Sequence, residues 1–306
     1  MKASAVTVRV PAKVNLQLSV GPLGADGYHP LATVFQAVSL YDEVTARPAR
    51  VGTGVGITVS GEDVSEVPVG PENLAARAAT ALAARLGRPA EVTLDIRKGI
   101  PIAGGMAGGS ADAAGALLAC ASLWGCAGEQ RLLAEVAAGV GSDVPFLLVG
   151  GTAIGRGRGD ELVPVPGSGR FEWVFATAYA GLSTPEVYQQ FDALAASADR
   201  TVPAPSIDAN ILAAVESADA RALGAALSND LQAAAIALRP SLQALLDAGL
   251  AAGAAGALVS GSGPTVAFLV DGDDAAMALA LQLSPSRLCR SLRRAYGPVP
   301  GAHVVP

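Results

Sequence analysis

Several things are scarce in this 306-residue chain, and each scarcity excludes something. Three cysteines (Cys120, Cys126 and Cys289) are odd in number and never spaced C-x-x-C, which excludes a disulfide framework and a cysteine zinc site. Two histidines, His29 and His303, are too few for a histidine-rich metal centre. No run of 18 apolar residues occurs and the N-terminus lacks a signal-peptide pattern, so the sequence predicts a cytoplasmic protein with no membrane partner. Positive charge is short: the net charge is −6, which argues against nucleic acid as a partner. Aromatics make up 4% of the chain and lysines number three against eighteen arginines, so each tyrosine and lysine carries more information than usual. Three nucleotide and hydrolase signatures are missing: no G-x-x-x-x-G-K-[ST], no G-x-G-x-x-G and no G-x-S-x-G.

What is abundant is small and apolar. Hydrophobic residues reach 51%, much of it alanine, and there are 36 glycines. The most informative stretch is Pro101-Ile-Ala-Gly-Gly-Met-Ala-Gly-Gly-Ser-Ala-Asp112, ahead of a predicted helix from Ala111 to Leu123. Glycines let a backbone approach a ligand closely, and a helix start offers unpaired N–H groups and a positive dipole end, so the pair forms an anion cradle. The candidate phosphate-holding residues are Pro101, Ile102, Ala103, Gly104, Gly105, Met106, Ala107, Gly108, Gly109, Ser110 and Ala111. The Ser110 hydroxyl suits either a phosphate or an N-cap role.

Alternation predicts strands over 6–10, 14–20, 31–40, 43–47, 92–97, 147–154, 171–179, 257–260 and 265–270. Helical patterns cover 73–86, 129–140, 184–195, 219–227, 241–248 and 274–283. Strands and helices cluster without strict alternation, which favours α+β over a doubly wound sheet. The chain divides near residue 170 into 1–170, carrying the glycine loop, and 171–306.

Two further segments stand out: Pro11-Ala-Lys-Val-Asn-Leu16 and Leu258-Val-Ser-Gly-Ser-Gly-Pro-Thr265. In this order, with the central glycine loop, they resemble the three motifs of the GHMP kinases, a superfamily that includes galactokinase, homoserine kinase and mevalonate kinase. The resemblance spans nearly the whole chain and implies a two-domain α+β GHMP kinase fold, with the active site in the interdomain cleft and ATP and Mg²⁺ as cofactors. Asp26-Gly-Tyr-His29, Thr33-Val-Phe-Gln36, Tyr41-Asp-Glu43 and Gly141-Ser-Asp-Val-Pro-Phe146 narrow it. They resemble a branch whose small-molecule substrate carries a cytidyl diphosphate and is phosphorylated on its 2-hydroxyl, on the non-mevalonate route to isoprenoids. Pro30 departs from that branch, which commonly has Glu there.

The resemblance assigns roles. Asp143 is the candidate base for the acceptor hydroxyl; by its chemistry alone it reads equally as a turn or cap aspartate. Lys13, costly to bury on an apolar strand, is the candidate cation, paired with Asp143, against the plainer reading of an edge-strand lysine. Asn73 and Lys98 match positions near the adenine; their plainer readings are a helix cap and a solvated turn. Tyr28, His29, Thr184 and Tyr188 match the cytosine site, where a base needs aromatic faces and polar edges. Asn15 is a candidate substrate contact, and Gly261, Ser262 and Gly263 shape the substrate side. The metal ligand is left unassigned, and a monomer or weak homodimer is the expected state. Two alternatives stay open: another GHMP kinase acting on homoserine, a sugar or a mevalonate-like alcohol, and a non-catalytic nucleotide sensor. The first has no base to stack on Tyr28; the second has no need of Lys13 and Asp143 together.

Overall fold

A computed structural model describes residues 5–62, 64–102, 104–167 and 169–305. The candidate loop residue Ala103 lies outside the described residues. Strand β1 (Val6–Val20) pairs antiparallel with β2 (Leu31–Pro48) along almost its full length. The sequence pattern predicts a break in each, but both run through. The pairing register instead slips at Pro11/Ala12 and again at Asn15/Gln17. Bulges of this kind re-aim side chains, and these two bracket Lys13 and Asn15. Ala12, Val14 and Leu16 point to the apolar core, which leaves Lys13 and Asn15, two residues apart, on the other face.

The first half continues with β3 (Val55–Gly61), α1 (Leu74–Arg85), β4 (Val92–Lys98), α2 (Gly108–Trp124), α3 (Gln130–Val140), α4 (Val144–Val149), β5 (Thr152–Gly157) and β6 (Glu161–Pro164). The second half holds β7 (Phe171–Thr177), α5 (Thr184–Ser197), α6 (Ala209–Ser217), α7 (Ala220–Ala226), β8 (Ser228–Asn229), α8 (Gln232–Leu238), α9 (Ser241–Ala251), β9 (Gly256–Val259), β10 (Val266–Val270), α10 (Asp273–Leu283), β11 (Ser291–Gly297) and β12 (His303–Val305). One sheet has eight strands, ordered β12-β1-β2-β4-β3 with β5, β6 and β8 attached at its flanks; the other is the four-stranded β11-β7-β10-β9. The architecture is therefore α+β. Trp173 of β7, fully buried, donates through Nε1 to Gln36 Oε1 of β2 at 3.0 Å and so ties the two sheets together.

Two expectations need correction. The predicted strand over 147–154 is helix α4 in its first three residues and strand β5 in its last three: Pro145 suits a first helical turn, and Gly150, at φ +69°, ends the helix before β5 begins. Helix α2 starts at Gly108, three residues earlier than its pattern indicated, so Ser110 sits inside its first turn and is not an N-cap. Alanine is what brings α2 close to the sheet. A Cβ on Gly115 would lie 2.7 Å from Val44 Cγ2, and the neighbouring buried positions are nearly all alanine. Strands β3, β6, β8, β11 and β12 and helices α6 and α8 are absent from the sequence reading, although β3 alternates at Val55, Ile57 and Val59 and Asp208 caps α6.

Candidate active site

The glycine loop joins β4 to α2, and both its ends are fastened to one buried ion cluster. Asp42 of β2 accepts from the N–H groups of Gly99 (2.7 Å) and Ile100 (2.9 Å) through Oδ1. The Lys98 ammonium donates to Asp42 Oδ2 (2.5 Å), Asp112 Oδ2 (2.8 Å) and the Gly108 carbonyl (3.1 Å). Burial pulls the Lys98 pKa down, but the two carboxylates outweigh it and the net shift is upward. Burial pushes the Asp112 carboxyl up to about 8; Lys98 opposes this and the Asp42 carboxylate adds to it.

Between those ends the loop leans on the β9–β10 connection. Gly105, at φ +71°, comes so close that a Cβ there would lie 2.2 Å from the Ser260 carbonyl oxygen. Ser260 Oγ donates to the Gly105 carbonyl at 3.2 Å, and Asn229 Nδ2 holds the Val259 and Gly261 carbonyls at 2.7 and 2.8 Å. Ala107 takes a left-handed φ of +62° immediately before α2. The first helical bond of α2 runs from Ala111 N to the Ala107 carbonyl at 2.8 Å. The N–H groups of Gly108, Gly109 and Ser110 precede it and stand as the helix's open donors.

A cavity of about 320 Å³ opens in front of these donors. The strands contribute Lys13, Asn15 and Phe35 to its lining, and the loop contributes Gly104, Gly105, Ala107, Gly108 and Gly109. Asp143 closes one side, and Gly261 and Ser262 of the β9–β10 connection close another. Lys13 Nζ donates to Asn15 Oδ1 at 2.6 Å, Asn15 Nδ2 to Thr33 Oγ1 at 2.8 Å, and Thr33 Oγ1 to the Gln17 carbonyl at 2.6 Å. The expected Lys13–Asp143 ion pair is not formed; the ammonium is turned to Asn15, and Asp143 acts on it through space. Burial lowers the Lys13 pKa, and the Asp143 charge partly restores it. Asp143 stands at the N-cap position of α4, yet its side chain makes no capping bond, so the carboxylate faces the cavity.

A second cavity of about 500 Å³ adjoins the first and gathers Tyr28, His29, Thr184 and Tyr188 with Arg158 and Asp192. His29 Nδ1 lies 2.8 Å from the Gly21 carbonyl, which can only accept, so this nitrogen carries the proton. His29 Nε2 lies 3.4 Å from Asp192 Oδ2. The His29 and Tyr188 rings stack with centroids 5.2 Å apart, and burial, then the Asp143 charge, pushes the Tyr188 hydroxyl up to about 12. Thr184 Oγ1 meets Ser262 Oγ at 2.8 Å, linking α5 to the β9–β10 connection.

Other sequence candidates lie apart from these cavities. Asn73 caps α1, accepting from Ala75 N at 2.8 Å and donating to the Pro68 carbonyl at 2.6 Å, so its side chain is engaged by the protein. The Lys98 side chain is likewise engaged, in the buried cluster, so the solvated-turn reading fails; Lys98 also borders the cavity that Pro101 and Ile102 line. Pro101 and Ile102 line a separate cavity of about 440 Å³. Met106 and Ala111 are buried in the core, and Gly263 turns toward Val259. Sequence reasoning missed Asp42, Asn229 and Arg158. Asp42 lies within a quoted motif, and Arg158 sits between Gly157 and Gly159; those neighbours were the available signals.

Comparison with known proteins identifies the family. Residues 73–151 match the family model for the GHMP kinases N terminal domain, and residues 211–286 match that for GHMP kinases C terminal. The 4-diphosphocytidyl-2-C-methyl-D-erythritol kinase of Streptomyces coelicolor is 55% identical over 300 residues, 98% of this chain and 99% of that one. The protein of the same name from Mycolicibacterium smegmatis is 52% identical, over 98% of this chain and 92% of its own length. A crystal structure of 4-(cytidine 5'-diphospho)-2C-methyl-D-erythritol kinase superposes with a TM-score of 0.75 at 32% identity, covering 94% of this chain and 98% of the other. Homoserine kinase from Cytophaga hutchinsonii shares the fold at a TM-score of 0.75 and 19% identity, over 100% and 98% of the two chains.

Proposed function

The chain belongs to the 4-diphosphocytidyl-2-C-methyl-D-erythritol kinases of the GHMP family, and we propose that it transfers the γ-phosphoryl group of ATP to the 2-hydroxyl of that cytidyl substrate. The observation that carries the reading is the pair of adjoining cavities. One holds a lysine, an uncapped aspartate and open helix donors; the other holds the tyrosines and the histidine. A homoserine, sugar or mevalonate-type acceptor gives the second cavity nothing to stack.

In this reading Asp143 accepts the proton of the 2-hydroxyl as it attacks, and Lys13 stabilises the charge growing on that oxygen. Asn15 fixes the ammonium, so the cation is aimed before substrate arrives. The open N–H groups of Gly108, Gly109 and Ser110 hold the ATP phosphates, and the cavity at Pro101 and Ile102 takes the adenine. Phosphoryl transfer asks a protein mainly for position and charge, which this arrangement supplies. Among the described residues no three acidic, histidine or cysteine side chains gather as a metal site. The Ser110 hydroxyl, in the first turn of α2 beside the open donors, would be the protein contact of a magnesium ion brought in with the ATP phosphates. Bound there, the ion neutralises phosphate charge. The boundary between the two functional halves falls after residue 170, the reaction is cytoplasmic, and the enzyme works as a monomer or weak homodimer. No described helix is long and apolar enough to cross a membrane.

The test is ATP consumption by purified protein with the cytidyl alcohol, beside homoserine, mevalonate and galactose. Turnover with the cytidyl alcohol alone is the expected result. Turnover only with a control discards the roles given to Tyr28, His29 and Tyr188, and ATP binding without turnover on any of them favours a sensor.

A further inference from the structure

The two cavities share a wall. Leu31, Ser142, Arg158, Thr184 and Tyr188 line both of them, and Arg158 is the only charged residue of the five. A substrate with its base beside Tyr28 and its hydroxyl at Asp143 carries its diphosphate across that wall. The other charges facing the cavities are the Asp143 and Asp192 carboxylates, which repel a diphosphate, and Lys13, which lines only the first cavity and is turned to Asn15.

Arg158 is held ready for an anion. It occupies the turn between β5 and β6, where its N–H donates to Asp160 Oδ1 at 3.1 Å. The adjoining Gly159 packs beneath it on Phe35, whose ring also lies under the Lys13 ammonium, so the turn is seated on the strand pair of the active site. The guanidinium rests 3.9 Å over the Tyr28 ring and, among the described residues, makes no ion pair. A guanidinium offers five donors in a planar fork that matches phosphate oxygens, and stacking on an aromatic face leaves its edge free for them.

We propose that Arg158 binds the diphosphate of the cytidyl substrate and sets the preference for cytidine diphosphate over cytidine. The inference rests on the cytidyl reading of the site. Its test is competition by cytidine diphosphate and by cytidine against the cytidyl alcohol, in wild type, R158Q and R158K. In R158Q, inhibition by cytidine diphosphate should weaken about tenfold while inhibition by cytidine stays within about twofold. KM for the cytidyl alcohol should rise with the first of these, and kcat should hold. R158K, which keeps the charge without the fork, should fall between. Equal weakening of both inhibitors would make Arg158 only a cover for Tyr28 and overturn the proposal, as would no change in either. Wild-type protein that binds neither inhibitor would overturn the cytidyl reading itself, and this inference with it.

Discussion

Lys98 and Asp42 close the glycine loop like a clasp: the ammonium meets Asp42 Oδ2 at 2.5 Å and the Gly108 carbonyl at 3.1 Å, while Asp42 Oδ1 holds the Gly99 and Ile100 N–H groups. Both side chains are almost wholly buried. Removing one partner strands a charge in the interior, so K98M should destabilise the protein by about 3–5 kcal/mol. It should also raise KM for ATP, because the loop loses its anchor at Gly108. Denaturant titration and ATP kinetics on K98M check both; unchanged stability would mean the cluster is not paired in solution.

Asp112 gives the same cluster a pH signature. Its folded pKa of about 8 lies far above its ordinary value of 3.8. The folded chain therefore holds a proton that the unfolded chain releases, and stability falls as pH rises through that window. This contribution is fully present below the ordinary value and gone above the folded one. D112N has no such proton. The melting temperature of wild type relative to D112N should fall from about pH 4 to about pH 8 and level off above that. A constant difference across the window would refute the assignment.

Gly105 separates close approach from mere loop flexibility. G105A puts a methyl 2.2 Å from the Ser260 carbonyl oxygen, at a φ of +71° that alanine resists. The two glycine loops would have to part, costing about 1–3 kcal/mol from backbone strain alone. KM for ATP should rise at least about tenfold while cytidine binding persists, since the second cavity contains neither loop. Isothermal titration with each ligand distinguishes this from global unfolding.

How far the sequence reveals this site depends on how local each feature is. The glycine loop, the helix after it, and Tyr28-His29 behind its turn are local, and their chemistry is readable from neighbouring residues. Lys13 and Asp143 are 130 positions apart, and only the family resemblance joined them. Even so their contact is indirect, because the bulges at Pro11/Ala12 and Asn15/Gln17 set Lys13 against Asn15, and no periodicity encodes a bulge. Helix α4 misreads as strand because six apolar residues carry no period that tells the two apart. The buried pairing of Lys98 is not legible in the sequence because its two carboxylates come from β2 and α2, 56 and 14 positions away.

Lys13 and Asp143 make opposite demands on stability and catalysis. Burial lowers the Lys13 pKa, so its charge is a net cost to the folded chain that is tolerated for function. K13M should therefore be inactive and at least as stable as wild type, each ~1 kcal/mol of relief raising the melting temperature by about 2 °C in a chain of this size. The sign with pH follows from the depressed value. Between the folded and the ordinary lysine pKa the unfolded chain binds more protons, so wild type gains stability as pH rises there and the advantage of K13M shrinks. D143N behaves differently: it leaves the lysine in place, should lower kcat by about 10²–10⁴-fold, and should leave KM for ATP near its wild-type value. Thermal melts of K13M against pH and steady-state kinetics of D143N read these separately. A D143N enzyme with full kcat would remove Asp143 from the role of base, and a K13M protein that melts well below wild type would mean that the Lys13–Asn15–Thr33 chain holds the strand pair together.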